Sequence, residues 1–180
     1  STQGYVATSL ADIARASDIS KAGLLHHYSS KDQLLAAVLD ERDRRIVSQL
    51  PRPEDGAEAA LGAWVDMVAH NQHHPDGVAL YTAMSAAVID SKHQAHPWFR
   101  EHLIAAISYL VEAFEHGKTT GEVREDAPSE QIARRLVALS DGLQVQWLCS
   151  RADGGRTLNM HEVMAGVAVD MKERWLIRSE

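Results

Sequence analysis

His70, His73 and His74 fall at i, i+3 and i+4, a spacing at which two imidazoles on one helix face can share a metal ion. No cysteine or carboxylate at clear ligand spacing accompanies them, so they read as a helix end that becomes cationic when protonated. His93, His96 and His102 straddle Pro97, so sequence does not fix their geometry. Cys149 is the only cysteine, which excludes an internal disulfide. With no lysine or arginine at i−4 or i+4, it reads as a buried, inert thiol rather than a redox sensor. Asp66, Asp90 and Asp141 make no catalytic pair, and no glycine-rich phosphate loop, nucleophile elbow or Walker-type stretch occurs. Catalytic residues, metal ligands and cofactors are therefore not predicted. The set that remains is Thr8, Ser9, Ser20, Lys21, Ala22, Gly23, His26, His27 and Lys31: hydroxyls, small residues and cationic groups within one short stretch, suited to an anionic, grooved partner.

The elements that position this set are written in the same stretch, TSLADIARASDISKAGLLHHYSSKDQLL. Thr8 or Ser9 can cap a first helix by accepting from its unpaired first-turn amides. Leu10, Ile13 and Ala14 share one face of that helix. Ser17 and Asp18 interrupt it with turn formers. Ser20 caps a second helix, predicted over Lys21–Tyr28 with Leu24 and Tyr28 inward. Ser29 and Ser30 end it, and Ser30 caps a third helix carrying Leu34, Leu35, Val38 and Leu39. Two short helices across a tight turn match the DNA-binding helix-turn-helix, whose second helix enters the major groove N-terminal end first. Small Ala22 and Gly23 permit close backbone approach, Lys21 adds charge, and free first-turn amides suit a phosphate. His26, His27 and Lys31 are placed to reach the backbone. Periodicity alone favours a helical hairpin with a merely solvated polar face, since helical hairpins are common.

The residues themselves decide between these. Gly4-Tyr5, TSLADIA, Ile19-Ser20-Lys21, Leu24, His27-Tyr28, Ser30-Lys31 and Leu34-Leu35 resemble the DNA-binding domain of the TetR (tetracycline repressor-like) family of bacterial transcription regulators. The family's recognition helix usually reads G-[TSA]-[LIV]-Y-x-[HY]-F. Here Gly23 stands where Thr, Ser or Ala is common and Leu25 where Tyr is common. The resemblance implies a full helix before Gly4-Tyr5; only Ser1-Thr2-Gln3 precede them, so that helix is expected to be cut from this sequence. GEVREDAPSEQIARRLVALSDGLQVQWL is similar to the penultimate helix of the family, in the branch that includes choline-responsive repressors. The resemblance implies that this helix and the last one form a four-helix bundle with a second subunit.

The rest of the chain supports an all-α reading of about eight helices, divided into a helix-turn-helix domain, 1–45, and a helical regulatory, ligand-binding and dimerisation domain, 46–180. Hydrophobic residues make up 45% of the chain, enough for a substantial core, and no apolar run approaches the roughly 20 residues that span a bilayer. Lack of a signal peptide and the lone cysteine predict a cytoplasmic protein. The net charge is −7, but residues 1–45 hold six basic and six acidic groups, so the acidity lies in the body. A neutral head binds DNA through a few placed, salt-sensitive contacts. Helices are expected over 31–50, 54–73, 78–89, 98–116, 128–150 (with Pro128 at the first position) and 159–177, with Pro75-Asp76-Gly77 as a turn, Gly117 and Gly121 as stops, and Ala152-Asp153-Gly154-Gly155 as a loop. Trp64, Met67, Met84, Ile107 and Trp147 are bulky and come from different helices, so they are expected to line a mostly apolar ligand pocket. Leu136, Leu139 and Leu143, with Val163, Val167, Met171 and Trp175 at spacings of four on the last helix, are expected to bury against a second subunit. The function predicted is a homodimeric repressor released from a palindromic operator by a small molecule, with double-stranded DNA and an effector as partners and no membrane association. An activator or constitutive DNA-binder on the same fold, or a helical small-molecule-binding protein or enzyme, remain as alternatives.

Overall fold

The computed structural model describes residues 8–152 and 157–177. The Gly4-Tyr5 pair, anything before it, and the loop glycines at 154 and 155 lie outside them. Eight α-helices are described: α1 Leu10–Ala16, α2 Lys21–His27, α3 Lys31–Val47, α4 Ala57–Gln72, α5 Pro75–Ala87, α6 His96–Thr120, α7 Ser129–Ala152 and α8 Met160–Trp175. A one-turn 3-10 helix at Pro53–Asp55 precedes α4, and the β-type pairing described is a single bridge between Val123 and Leu176. No helix among the described residues is long and apolar enough to cross a membrane.

The caps fall on the serines that the sequence nominates. Ser9 Oγ accepts from the Asp12 amide while the Asp12 carboxylate accepts from the Ser9 amide, a reciprocal capping box. Between Thr8 and Ser9, Ser9 is thus the cap. Ser20 accepts from Gly23 N at 2.9 Å and Ser30 from Gln33 N at 3.1 Å. The α1–α2 turn is closed by Ile19 N to Ala14 O at 3.0 Å and Asp18 N to Arg15 O, with Asp18 at φ +54°. That is a Schellman ending, with aspartate taking the left-handed position glycine usually fills.

Several boundaries differ from the sequence reading. Pro75 opens α5 instead of making a turn, because its fixed φ and missing amide suit a first helical position. The expected 54–73 helix is broken at Gly56 (φ +102°). Across that break Glu122, 65 residues away, caps α4: its two carboxylate oxygens accept from Ala57 N at 2.9 Å and Glu58 N at 2.8 Å. A Cβ on Gly56 would lie 2.6 Å from Glu122 Oε2. Gly117 does not stop α6. It is buried inside the helix where a Cβ would meet Val123 Cγ2 at 2.5 Å, and the stop is Gly121 at φ +79°. Gly117 therefore serves a close approach of the α6–α7 connection rather than a turn.

Three apolar clusters organise the chain. Ala14, Leu24 and Leu34 centre the head. Ala36 and Leu39 on α3 join Tyr81, Met84, Val88, Ala95 and Phe99 in a second cluster. The main core gathers α4, α6, α7 and α8. Because α3 belongs to both the first and second clusters, the expected division after residue 45 falls inside one continuous helix, whose own residues pack on head and body alike.

Candidate nucleic-acid interface and effector groove

On the head, Ser9, Ser20, Lys21, Ala22, Gly23, His26 and His27 are exposed, and Thr8 and Lys31 are half-buried. The Ser9 and Ser20 hydroxyls are engaged in capping, which fixes the N-terminal turns of α1 and α2. The first turn of α2 presents Lys21, Ala22 and Gly23 together, while Leu24 on the opposite side anchors the helix in the head core. His26 and His27 meet edge to face at the C-terminal end. Two apolar side chains absent from the predicted set, Ile19 (47% exposed) and Leu25 (42%), also stand on this surface. The signal for Leu25 was its helical register: it is the neighbour of a buried residue on a seven-residue helix and must face outward. An exposed apolar side chain there suits contact with a thymine methyl.

The predicted pocket residues are not brought around one cavity. Trp64 and Trp147 are buried in the main core, and the Trp64 indole donates to Ser140 Oγ at 3.0 Å, so its polar edge is satisfied internally. Met84 belongs to the second cluster, and Ile107 packs against the main core. Only Met67 of the five lines the large groove, which has a volume of about 940 Å³ and runs between α3 and α4. Its apolar wall includes Val38, Ile46, Leu50 and Met67, and its polar wall Glu41, Arg42, Arg45, Asp66, His70 and His74. The sequence reading missed this groove because its lining comes from the mixed, charged faces of both helices.

Two of the three clustered histidines, His70 and His74, line the groove. His70 and His74 stack at 4.1 Å, with His74 Nδ1 held at 3.0 Å from His70 O. Burial, then the charges of His74, His73 and Arg42, push the His70 imidazole below its usual range. Among the described residues no group of three or more His, Cys, Asp or Glu is arranged to hold a metal ion.

Beyond the groove, α3 is tied to the body by polar contacts. Asp43 meets His102 Nδ1 at 2.5 Å and Arg42 at 3.2 Å, Trp98 Nε1 donates to Asp40 at 3.4 Å, and the Arg42 guanidinium sits over the Tyr81 ring. Tyr81 bonds Asp141 on α7; burial raises both groups above their ordinary values, and the Asp141 charge adds to the rise of Tyr81.

The predicted subunit-facing residues divide into three sets. Leu136 (1% exposed), Leu143 (2%) and Trp175 (9%) are covered by their own chain, which corrects the premise that one chain has too few helices to bury both stripes. Leu139, Val167 and Met171 are half-buried against the main core. Val163 faces out, as do Val145 and Val169. An added Cβ at Gly142 or Gly166 would meet nothing within 4 Å. Cys149, expected to be buried, is exposed on α7.

Comparison with known proteins agrees with this geometry. Residues 1–38 match the model for bacterial regulatory proteins of the tetR family, and residues 39–165 match the C-terminal model of BetI-type transcriptional repressors. The two matches meet inside α3. The HTH-type transcriptional repressor AcnR of Corynebacterium diphtheriae is 23% identical over 161 residues, covering 89% of this chain and 79% of that protein. A TetR transcription regulator from Haloarcula marismortui superposes with a TM-score of 0.80 at 23% identity, over 98% of this chain and 91% of the other. A transcriptional regulator from Saccharomonospora viridis solved in complex with choline gives 0.73 at 20% identity, over 98% and 91%. Since the two family models together account for residues 1–165, the head for one and most of the body for the other, this chain belongs to the tetR family of bacterial regulatory proteins, DNA-binding transcription regulators, and its body is of the BetI-type repressor kind.

Proposed function

We propose that the protein is a homodimeric, cytoplasmic repressor that binds a palindromic operator and is released from it by a small molecule. The observation that carries this reading is the continuity of α3. Its first turns pack in the head core and its next turns in the body, so a displacement of α3 by the body moves the reading helix. An effector acts on such a system only through unequal affinity for the two head placements. The α3–α4 groove meets that requirement: its lining includes Tyr28 at the end of α2 and six α3 positions, so its occupant touches the moving element directly. We assign the effector to this groove. The choline bound to the S. viridis regulator makes quaternary amines the first class to assay here. For the dimer, the outward faces of α7 and α8 around Gly142, Val145, Val163 and Gly166 are the surface that a partner would cover. A two-fold bundle there sets recognition helices about 34–36 Å apart, one DNA turn.

The reading is tested by fluorescence anisotropy with the protein's own upstream DNA and by sedimentation. Saturable, salt-sensitive binding of a dimer to a two-fold site, weakened by a compound whose effect is lost in Met67→Glu, is the expected result. A wild-type protein that is monomeric at micromolar concentration and binds upstream DNA no better than random DNA overturns it.

A further inference from the structure

The turn between α5 and α6 reaches the head. Gln94 accepts a hydrogen bond from the Ser30 hydroxyl, and His93 Nε2 lies 3.4 Å from Asp32 Oδ2. Ser30 is the N-cap of α3 and Asp32 lies in its first turn. These contacts span more than 60 residues of sequence and fall on the junction that follows the recognition helix, where Ser29 is bound to Gln33 through both its amide and its hydroxyl. The turn itself is braced. Ala95 N donates to His93 Nδ1 at 3.2 Å, which leaves Nε2 carrying the proton toward Asp32, and His96 Nδ1 meets Val88 O at 2.7 Å. Val88 and Ala95, at the two ends of the turn, are buried in the same cluster as Ala36 and Leu39 of α3.

We propose that His93 and Gln94 are positioning residues for DNA reading: they hold the first turn of α3 and so fix the angle of α2 to the body. The physical ground is that α1 and α2 have seven residues each, and the head core centres on three buried side chains. Helices this short are marginal without tertiary support. A polar clasp that fixes the cap of α3 removes rotational freedom exactly where the head leaves the body. Because the clasp hangs between α5 and α6, a change in their packing reaches Ser30 without passing along α3. The consequence for DNA rests on the head being the reading unit; the clasp does not.

The test is hydrogen exchange on the full chain, in His93→Ala/Gln94→Ala and in His93→Gln, whose amide nitrogen replaces imidazole Nε2. Exchange over residues 28–34 is expected to quicken at least fivefold in the double variant, with α4, α6 and α7 unchanged, and to recover partly in His93→Gln. Affinity for upstream DNA should fall in parallel, fivefold or more. Unchanged exchange over 28–34, or quickened exchange with unaltered DNA affinity, overturns the proposal. If the wild type itself fails to bind upstream DNA, the repressor reading fails while the exchange result still decides the clasp.

Discussion

Replacing Ser140 by alanine isolates one buried hydrogen bond and tests whether Trp64 is core or pocket wall. The indole N–H donates to Ser140 Oγ at 3.0 Å, and that hydroxyl donates to Leu136 O at 2.9 Å. Both residues are buried, with Trp64 5% and Ser140 5% exposed. Removing the hydroxyl strands a buried N–H donor, at a cost of about 1–3 kcal/mol. Alanine is the better helix former by a few tenths of a kcal/mol, so it returns roughly 0.4 kcal/mol. The net expectation is a loss of about 1.5 kcal/mol, which for a chain of this size is a fall of roughly 3–6 °C in melting temperature. Trp64→Phe removes the donor and leaves a void, for a loss of about 2 kcal/mol. The double variant no longer has a stranded donor, so its loss should be smaller than the two single losses together by about 1 kcal/mol. Urea melts at one fixed protein concentration measure all four corners of the cycle; the fixed concentration matters because assembly shifts apparent stability. DNA affinity at low temperature should not change. Strict additivity, or a Ser140→Ala variant within about 0.3 kcal/mol of wild type, means that the indole edge is solvated. Trp64 would then face a water-filled or ligand cavity.

Further outcomes follow from other contacts. Glu122→Ala removes the carboxylate that accepts from two first-turn amides of α4, one of them on the fully buried Ala57, and should destabilise the protein by about 2 kcal/mol in the same urea assay. Asp141→Asn tests pH linkage. Burial holds the Asp141 carboxyl above its ordinary value, so the native state keeps a proton that the unfolded chain has released, and this contribution to stability is lost as pH rises through the raised value. The melting temperature of the variant minus that of wild type should be near zero below about pH 4, grow with pH and then level off; a difference that does not change with pH refutes this. Lys21→Ala should weaken upstream and random DNA alike and reduce the salt slope by about one, read by anisotropy across a salt series. A loss confined to upstream DNA would make Lys21 a base reader.

The head was legible in the sequence because its determinants are local. Ser9, Ser20 and Ser30 cap helices through residues three positions away, and Leu10, Ile13, Ala14 and Leu24 mark inward faces by spacing alone. The all-α class was legible for the same reason. What only the tertiary structure decided depends on groups distant in sequence. Nothing near Gly117 says that Val123 folds back onto it, and nothing near Gly56 says that Glu122 will cap α4 from 65 residues away. The apolar stripe of α7 looked unpartnered until α4, α6 and α8 closed over Leu136 and Leu143, and Cys149 proved to face outward from the same helix. Aromatic and methionine residues suggested a pocket, but large apolar side chains are what close packing uses to exclude space, so Trp64, Met84 and Trp147 fill the cores. The groove opened instead between α3 and α4, where arginine, glutamate and histidine side chains keep two helices from packing tightly along their length.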